Sequence, residues 1–224
     1  SIMGYSQLLA KKRGLGAENR EDLKQVAQSA DQCRRIVENL LRFVRKDESE
    51  AAPAAPAQMV ARAMALLRYK IKKSGLSETV ISVPKRMKVV CKAPQLEQVI
   101  VNLVSNALDA MVSANTPKRR LAIKAEKRGG VFRLRVANTG PDIPEEMRER
   151  VFEPFFTTKG SEGTGLGLAL CRQIVEERGG RIWNEPAVGG GVVFVVELPE
   201  RRTAARAKSK PRRHHDREPG LNIL

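Results

Sequence analysis

The chain has 224 residues, enough for one well-buried core and a smaller companion unit. Its formal charge of +16 raises nucleic acid as a partner, but aromatic residues make up only 4% of the chain, too few for base-stacking platforms. Three cysteines, odd in number and far apart, suggest neither a disulfide framework nor a zinc site, and no apolar run approaches the ~18 residues of a membrane span.

In chain order, residues 2–12 carry Ile2, Tyr5, Leu8 and Leu9 at helical spacing, and Gly14-Leu15-Gly16 then breaks the pattern. Residues 18–46 read as a second helix. Leu23, Val26, Ala30, Cys33, Val37, Leu40 and Val44 alternate steps of three and four, close to the seven-residue repeat of a helical bundle. Two helices cannot bury two apolar faces alone, so residues 1–50 are expected to form a homodimeric four-helix bundle; packing onto the rest of the same chain is the alternative. Residues 47–56, DESEAAPAAP, turn from polar to Ala/Pro-rich, which marks a linker, set at 51–57.

Residues 58–200 read as a second domain. A helix over 58–73 has Val60, Ala63, Met64, Leu67 and Ile71 on one face, and short β patterns follow at 79–83 and 88–91. Residues 95–111, QLEQVIVNLVSNALDAM, bury Leu96, Val99, Ile100, Leu103, Val104, Ala107 and Met111, with Pro94 suited to the first turn. Residues 121–126 and 131–137 alternate apolar with polar and are joined by Gly129-Gly130 as a hairpin. Residues 165–178 are helical, and 181–184 pairs with 192–198 around Gly189-Gly190-Gly191. That order predicts an α+β fold in which the helical hairpin precedes a two-layer α/β sandwich, its sheet mostly antiparallel and its helices on one face. Residues 201–224 form a basic tail, with eight Lys/Arg against two acidic residues between Arg201 and Glu218, and are expected to be a disordered linker.

Four segments of the second domain carry residue choices that folding alone explains poorly. Asn102 and Asn106 lie four apart, so both amides border the apolar stripe of one helix and call for a polar ligand; a metal-bound phosphate fits. Residues 137–144, ANTGPDIP, leave a strand and turn sharply, placing the Asn138 amide where it can accept from an exocyclic amino group and donate to a ring nitrogen. Residues 151–159, VFEPFFTTK, offer aromatics to anchor a loop while Thr157, Thr158 and Lys159 face an anion. Residues 163–168, GTGLGL, run straight into a helix, whose N-terminal amides and dipole favour negative charge. The spacing fits neither GxGxxG nor GxxxxGK[ST], which excludes Rossmann and P-loop nucleotide sites. Each segment alone is a common turn or helix start; their succession within one domain carries the functional reading.

Together the segments resemble the N box, first glycine box, F box and second glycine box of the sensor histidine kinases. These belong to the GHKL (Bergerat) ATP-binding superfamily, shared with DNA gyrase, mismatch-repair ATPases and a heat-shock chaperone. The opening SIMGYSQLL resembles the residues just after that family's phosphoacceptor motif. The resemblance implies an ATP- and Mg²⁺-dependent protein-histidine kinase module of a two-component system. ATP would sit among Asn102, Asn106, Asp109, Asn138, Gly140, Ile143, Thr157, Thr158, Lys159, Gly163, Thr164, Gly165, Leu166, Gly167 and Leu168. In it Asn106 would bind Mg²⁺, Asn102 would support the phosphates, Asn138 would meet adenine, Lys159 would reach the terminal phosphates, and Gly163, Gly165 and Gly167 would end a mobile lid. The implied partners are a second copy of the chain and a response regulator or fused receiver domain, with no specific nucleic acid and no membrane contact from this segment. The implied location is the cytoplasm.

Several departures qualify the resemblance. Asn138 replaces the usual aspartate, giving up a charge-assisted hydrogen bond of about 1 kcal/mol, and Asp142 replaces a glycine. The family's acceptor histidine would lie one or two helical turns before Ser1. The only histidines, His214 and His215, lie in the basic tail, so phosphorylation in cis is not expected. Hydrolytic relatives carry a glutamate where Asn102 stands, and an amide cannot take a proton from water. Residues 219–224, PGLNIL, resemble the start of a receiver domain's first strand. The alternative function is a nucleotide-binding, dimerising module that signals without phosphotransfer.

Overall fold

The computed structural model describes residue 9 and residues 16–44, 50–160 and 163–200. The helix expected over 2–12, the tail from 201 with its two histidines, and the strand start at 219–224 lie outside the described residues, apart from Leu9.

Helix α1 (Ala17–Val44) matches the second amphipathic helix. Val26 and Val37 on its stripe are 45% and 53% exposed, so the described residues leave that face open at these two positions. Residues 52–54, inside the expected linker, instead form strand β1 (Ala52–Ala54), antiparallel to β3 (Val89–Cys91). The Ala/Pro composition that reads as a spacer also suits a three-residue edge strand, and Pro56 opens the next helix with its fixed φ and absent donor.

The helix expected over 58–73 is two: α2 (Pro56–Leu66) and α3 (Arg68–Ser74). Leu67 leaves helical geometry at φ −88°, ψ 5°, yet its amide still bonds Ala63 O and its carbonyl still receives the Ile71 amide. The bend keeps Leu67 and Ile71 against the core and carries α3 alongside the long helix α4 (Ala93–Ser113).

The main sheet runs β2 (Glu78–Ser82), β4 (Arg120–Arg128), β5 (Val131–Asn138), β7 (Val192–Pro199), β6 (Arg181–Pro186). Only the β2–β4 pairing is parallel. Arg128 pairs with Val131 across Gly129 and Gly130, whose φ of 59° and 74° give the type I′ turn that matches strand twist. The inner face carries Leu121, Ile123, Phe132, Leu134 and Val136, all with 0% exposure, against the apolar side of α4. The outer face is closed by charge: Arg133 bonds Glu197 and Glu126, and Arg135 bonds Glu185. Helix α5 (Gly167–Glu176) packs beside α4 on the inner side, so the helices share one face, as the pattern predicts.

Candidate functional site

A cavity of about 460 Å³ opens between α4, the end of β5 and the segment leading into α5, a size suited to a nucleotide-sized ligand. Its fixed wall follows from the pattern of α4. Leu103, Val104 and Ala107 are at most 1% exposed, so the flanking Asn102, Ser105, Asn106 and Asp109 are turned to the cavity. Asn102 does more than line it. Its Oδ1 accepts from Gln98 Nε2 at 3.0 Å, and its Nδ2 donates to Gly167 O at 3.2 Å and reaches Cys171 Sγ at 3.7 Å. This amide therefore ties α4 to the first turn of α5. Cys171 beneath it is fully buried, and that desolvation pushes its thiol up to about 12, leaving it protonated and unreactive at neutral pH.

Asn106 and Asp109 face a lysine from the opposite wall. Lys159 Nζ lies 2.8 Å from Asp109 Oδ2 and 3.3 Å from Asn106 Oδ1. A second lysine, Lys70 from α3, donates to Asp109 Oδ1 at 2.7 Å and to Ser105 Oγ at 2.6 Å. Burial pushes the Asp109 carboxyl up, but the bonds from Lys159 and Lys70 outweigh it and hold the group below the usual carboxylate range.

At the far end, Asn138 is 3% exposed at the end of β5. Its Oδ1 accepts from the Gly140 amide at 2.8 Å, while its buried Nδ2 has no partner. The amide therefore keeps one donor without a partner at this end of the cavity. Asp142 has a local reason to replace glycine. Its Oδ1 accepts from the Ile143 amide at 2.8 Å and its other oxygen lies 3.7 Å from Arg148, which fixes the turn ahead of a 3₁₀ segment at Glu145–Met147.

The remaining wall is built by aromatics and glycines. Phe152, 2% exposed, meets Phe194 edge-to-face at 6.2 Å and lies under the Arg172 guanidinium, which anchors one end of the loop. Phe155 stays 66% exposed, with φ of 67°, and bonds through its amide to Gly165 O at 3.1 Å. Gly165 itself has φ of 65°, and a Cβ there would sit 2.3 Å from the Phe155 carbonyl carbon, so only glycine fits this crossing. Thr157 Oγ1 caps the Lys159 amide at 3.1 Å.

Of the residues expected at the site, thirteen line this cavity; Gly140 and Leu166 do not. Gly140 acts one step behind the surface through Asn138, and Leu166, 4% exposed, turns inward as the residue before α5. Sequence reasoning missed Lys70, because α3 belongs to none of the four segments and its approach depends on the bend at Leu67. It also missed the apolar floor of Met147, Val151 and Phe194, which assembles from three separate elements.

Residues 91–202 match the family model of the histidine kinase-, DNA gyrase B- and HSP90-like ATPases, and residues 1–49 match the His kinase A (phospho-acceptor) domain. The C4-dicarboxylate transport sensor protein DctB of Rhizobium meliloti (strain 1021) is 32% identical over 83% of this chain, which spans 29% of that protein's length. Histidine kinase ThkA, solved in complex with the response regulator TrrA, superposes with a TM-score of 0.69 at 28% identity, covering 90% of this chain and 57% of that one. Full-length ShkA in complex with AMPPNP gives 0.68 at 25% identity over 91% of this chain and 43% of that one. With both family models satisfied and the four sequence segments gathered on one cavity, the chain belongs to the sensor histidine kinases, its second domain being their ATP-binding domain.

Proposed function

We propose that the chain is the catalytic module of a two-component system, holding Mg-ATP for transfer of its γ-phosphoryl group to a histidine of the hairpin domain and onward to a response-regulator aspartate. The observation that carries the reading is the convergence of Asn106, Lys159 and the start of α5 on one cavity whose fixed wall has an amide, Asn102, where hydrolytic relatives carry a glutamate, and whose one carboxylate, Asp109, is bound by two lysines. The Asn102 amide is already bound to Gln98 and Gly167. An acceptor hydroxyl of water would stay poorly activated, which favours transfer to protein over hydrolysis.

The donor set fits magnesium. Among the described residues no cluster of three His, Cys, Asp or Glu side chains could hold a metal ion alone, and a hard cation carried largely by phosphates needs few protein oxygens. Asn106 Oδ1 is the oxygen that would hold it, once Lys159 Nζ, now 3.3 Å away, turns to the phosphates. Magnesium there would neutralise charge on the phosphates. The Lys159 ammonium would bind the terminal phosphate, the Asn138 Nδ2 would donate to the base, and the loop ending at Gly165 would exclude water. The exposure of Val26 and Val37 on the apolar stripe of α1 supports a homodimer through a four-helix bundle.

Titration calorimetry with Mg-ATP tests the binding step: a heat of binding is expected, and its absence from a folded sample defeats the reading. Transfer is tested by adding a hairpin that carries the acceptor histidine, where acid-labile phosphate on that hairpin is expected. The chain by itself should take up none, since its only histidines are His214 and His215. A second reading, a dimerising nucleotide sensor without transfer, draws on Asn138 and Asp142. Nucleotide binding with no phosphohistidine on the supplied hairpin would favour it.

A further inference from the structure

We propose that Lys70 is a phosphate-facing cation of the nucleotide site, delivered by α3 from outside the four glycine- and asparagine-bearing segments and positioned by Ser105 and Asp109. The inference rests on the nucleotide reading above and assigns that site a further residue.

The geometry begins with an acid in an awkward place. Asp109 lies three residues beyond Asn106 on the same flank of α4, so its carboxylate lines a cavity meant for phosphates. Left alone it would repel them. Each of its oxygens instead accepts from a different lysine, Oδ1 from Lys70 at 2.7 Å and Oδ2 from Lys159 at 2.8 Å. Among the described residues the charged side chains lining the cavity are Lys70, Asp109, Asp142 and Lys159. Without Lys70 the lining is net acidic; with it the acids are matched, and two ammonium groups flank the helix that carries Asn106.

Lys70 also has capacity to spare. An ammonium group has three N–H donors, and Ser105 Oγ and Asp109 Oδ1 use two. The side chain is 36% exposed and lines the cavity, which leaves the third donor for a phosphate oxygen. The two lysines differ in mounting. Lys70 sits on a short helix whose flank, Leu67 and Ile71, packs against the core, whereas Lys159 sits on the non-helical segment that lines the opposite wall. Lys70 is thus placed by helix packing and Lys159 by the course of a loop, and both ammonium groups already hold Asp109.

The experiment compares the full chain with Lys70→Gln, Lys70→Met and Lys70→Arg by calorimetric titration of adenosine, ADP and ATP, each with Mg²⁺, alongside thermal melts. Loss of one charge-assisted bond predicts ATP affinity weakened about tenfold in the two neutral variants, ADP less, and adenosine unchanged. Arginine should restore ATP to within about threefold of the parent chain. Lys70 is a partly exposed side chain, so the melts should coincide within a few degrees. Equal losses for adenosine and ATP, or no loss for ATP, would overturn the assignment. If the unaltered, folded chain binds adenosine and ADP but not ATP, Lys70 loses its role while the base site stands; if it binds none of the three, the nucleotide reading itself falls.

Discussion

The two walls of the cavity are made in different ways. The α4 wall is a by-product of packing: Leu103, Val104 and Ala107 are sealed against the sheet, and the polar residues between them have nowhere to face but the cavity. The opposite wall, between its buried ends Phe152 and Leu166, owes the course of its described residues to chemistry that a core does not supply. Gly165 crosses the Phe155 backbone at positive φ, Thr157 caps Lys159, and Phe155 is left 66% exposed. One wall is thus expensive to disturb and the other cheap.

The sharpest way to break that contrast is to damage each wall in turn. Leu103→Ala removes a fully buried side chain from the fixed wall and should cost about 2–5 kcal/mol of global stability, read as a lowered denaturation midpoint. Gly165→Ala should behave differently. Strain at φ of 65° is worth about 1–3 kcal/mol, but it falls on the loop, so most of it should appear as weakened ATP binding with little change in the midpoint. A large global loss from Gly165→Ala would show that both walls belong to one cooperative unit.

The same contrast explains what was legible in the sequence. Helix α4, the hairpin around Gly129-Gly130 and the β6–β7 pair follow from periodicity and turn residues, because their apolar faces all point to one core. The bend at Leu67 carries no glycine or proline and left no trace, since what fixes it is the fit of Leu67 and Ile71 against the core. Lys70 went unread with it. Strand β1 was hidden by composition: Ala52, Pro53 and Ala54 look like a spacer until Val89–Cys91 comes alongside. Asn102 was read as a phosphate contact, whereas its bonds to Gln98 and Gly167 give it a second duty, a long-range contact that spacing along one helix cannot reveal.

Asn138 gives a smaller effect that sharpens the comparison at the base end. Asn138→Asp keeps the acceptor for the Gly140 amide and replaces the unpartnered Nδ2 by a second carboxylate oxygen. Without ligand this buries a charge and should lower the melting temperature by a few degrees. With ATP the new oxygen can accept from the exocyclic amino group, so affinity should rise about fivefold, near 1 kcal/mol. Tighter binding together with lower stability is the expected signature; a fall in both would mean that the base does not meet this side chain.

The smallest effect concerns Asp109, which joins the two walls through Lys70 and Lys159. Burial raises its pKa, yet the lysine bonds lower it further, so the folded carboxyl titrates below its ordinary 3.8. The unfolded chain therefore takes up this proton first. The stabilisation is fully present above the ordinary value and drains away as pH falls through the lower, folded one. At 34% exposure the carboxylate is screened, so the contribution is small. The stability difference between the parent chain and Asp109→Asn should accordingly be flat from about pH 5 to 8 and shrink only below about pH 4. A difference that instead changed between pH 6 and 8 would mean that some other group governs the clamp, and that the carboxylate is not what holds the two lysines while the cavity waits for phosphate.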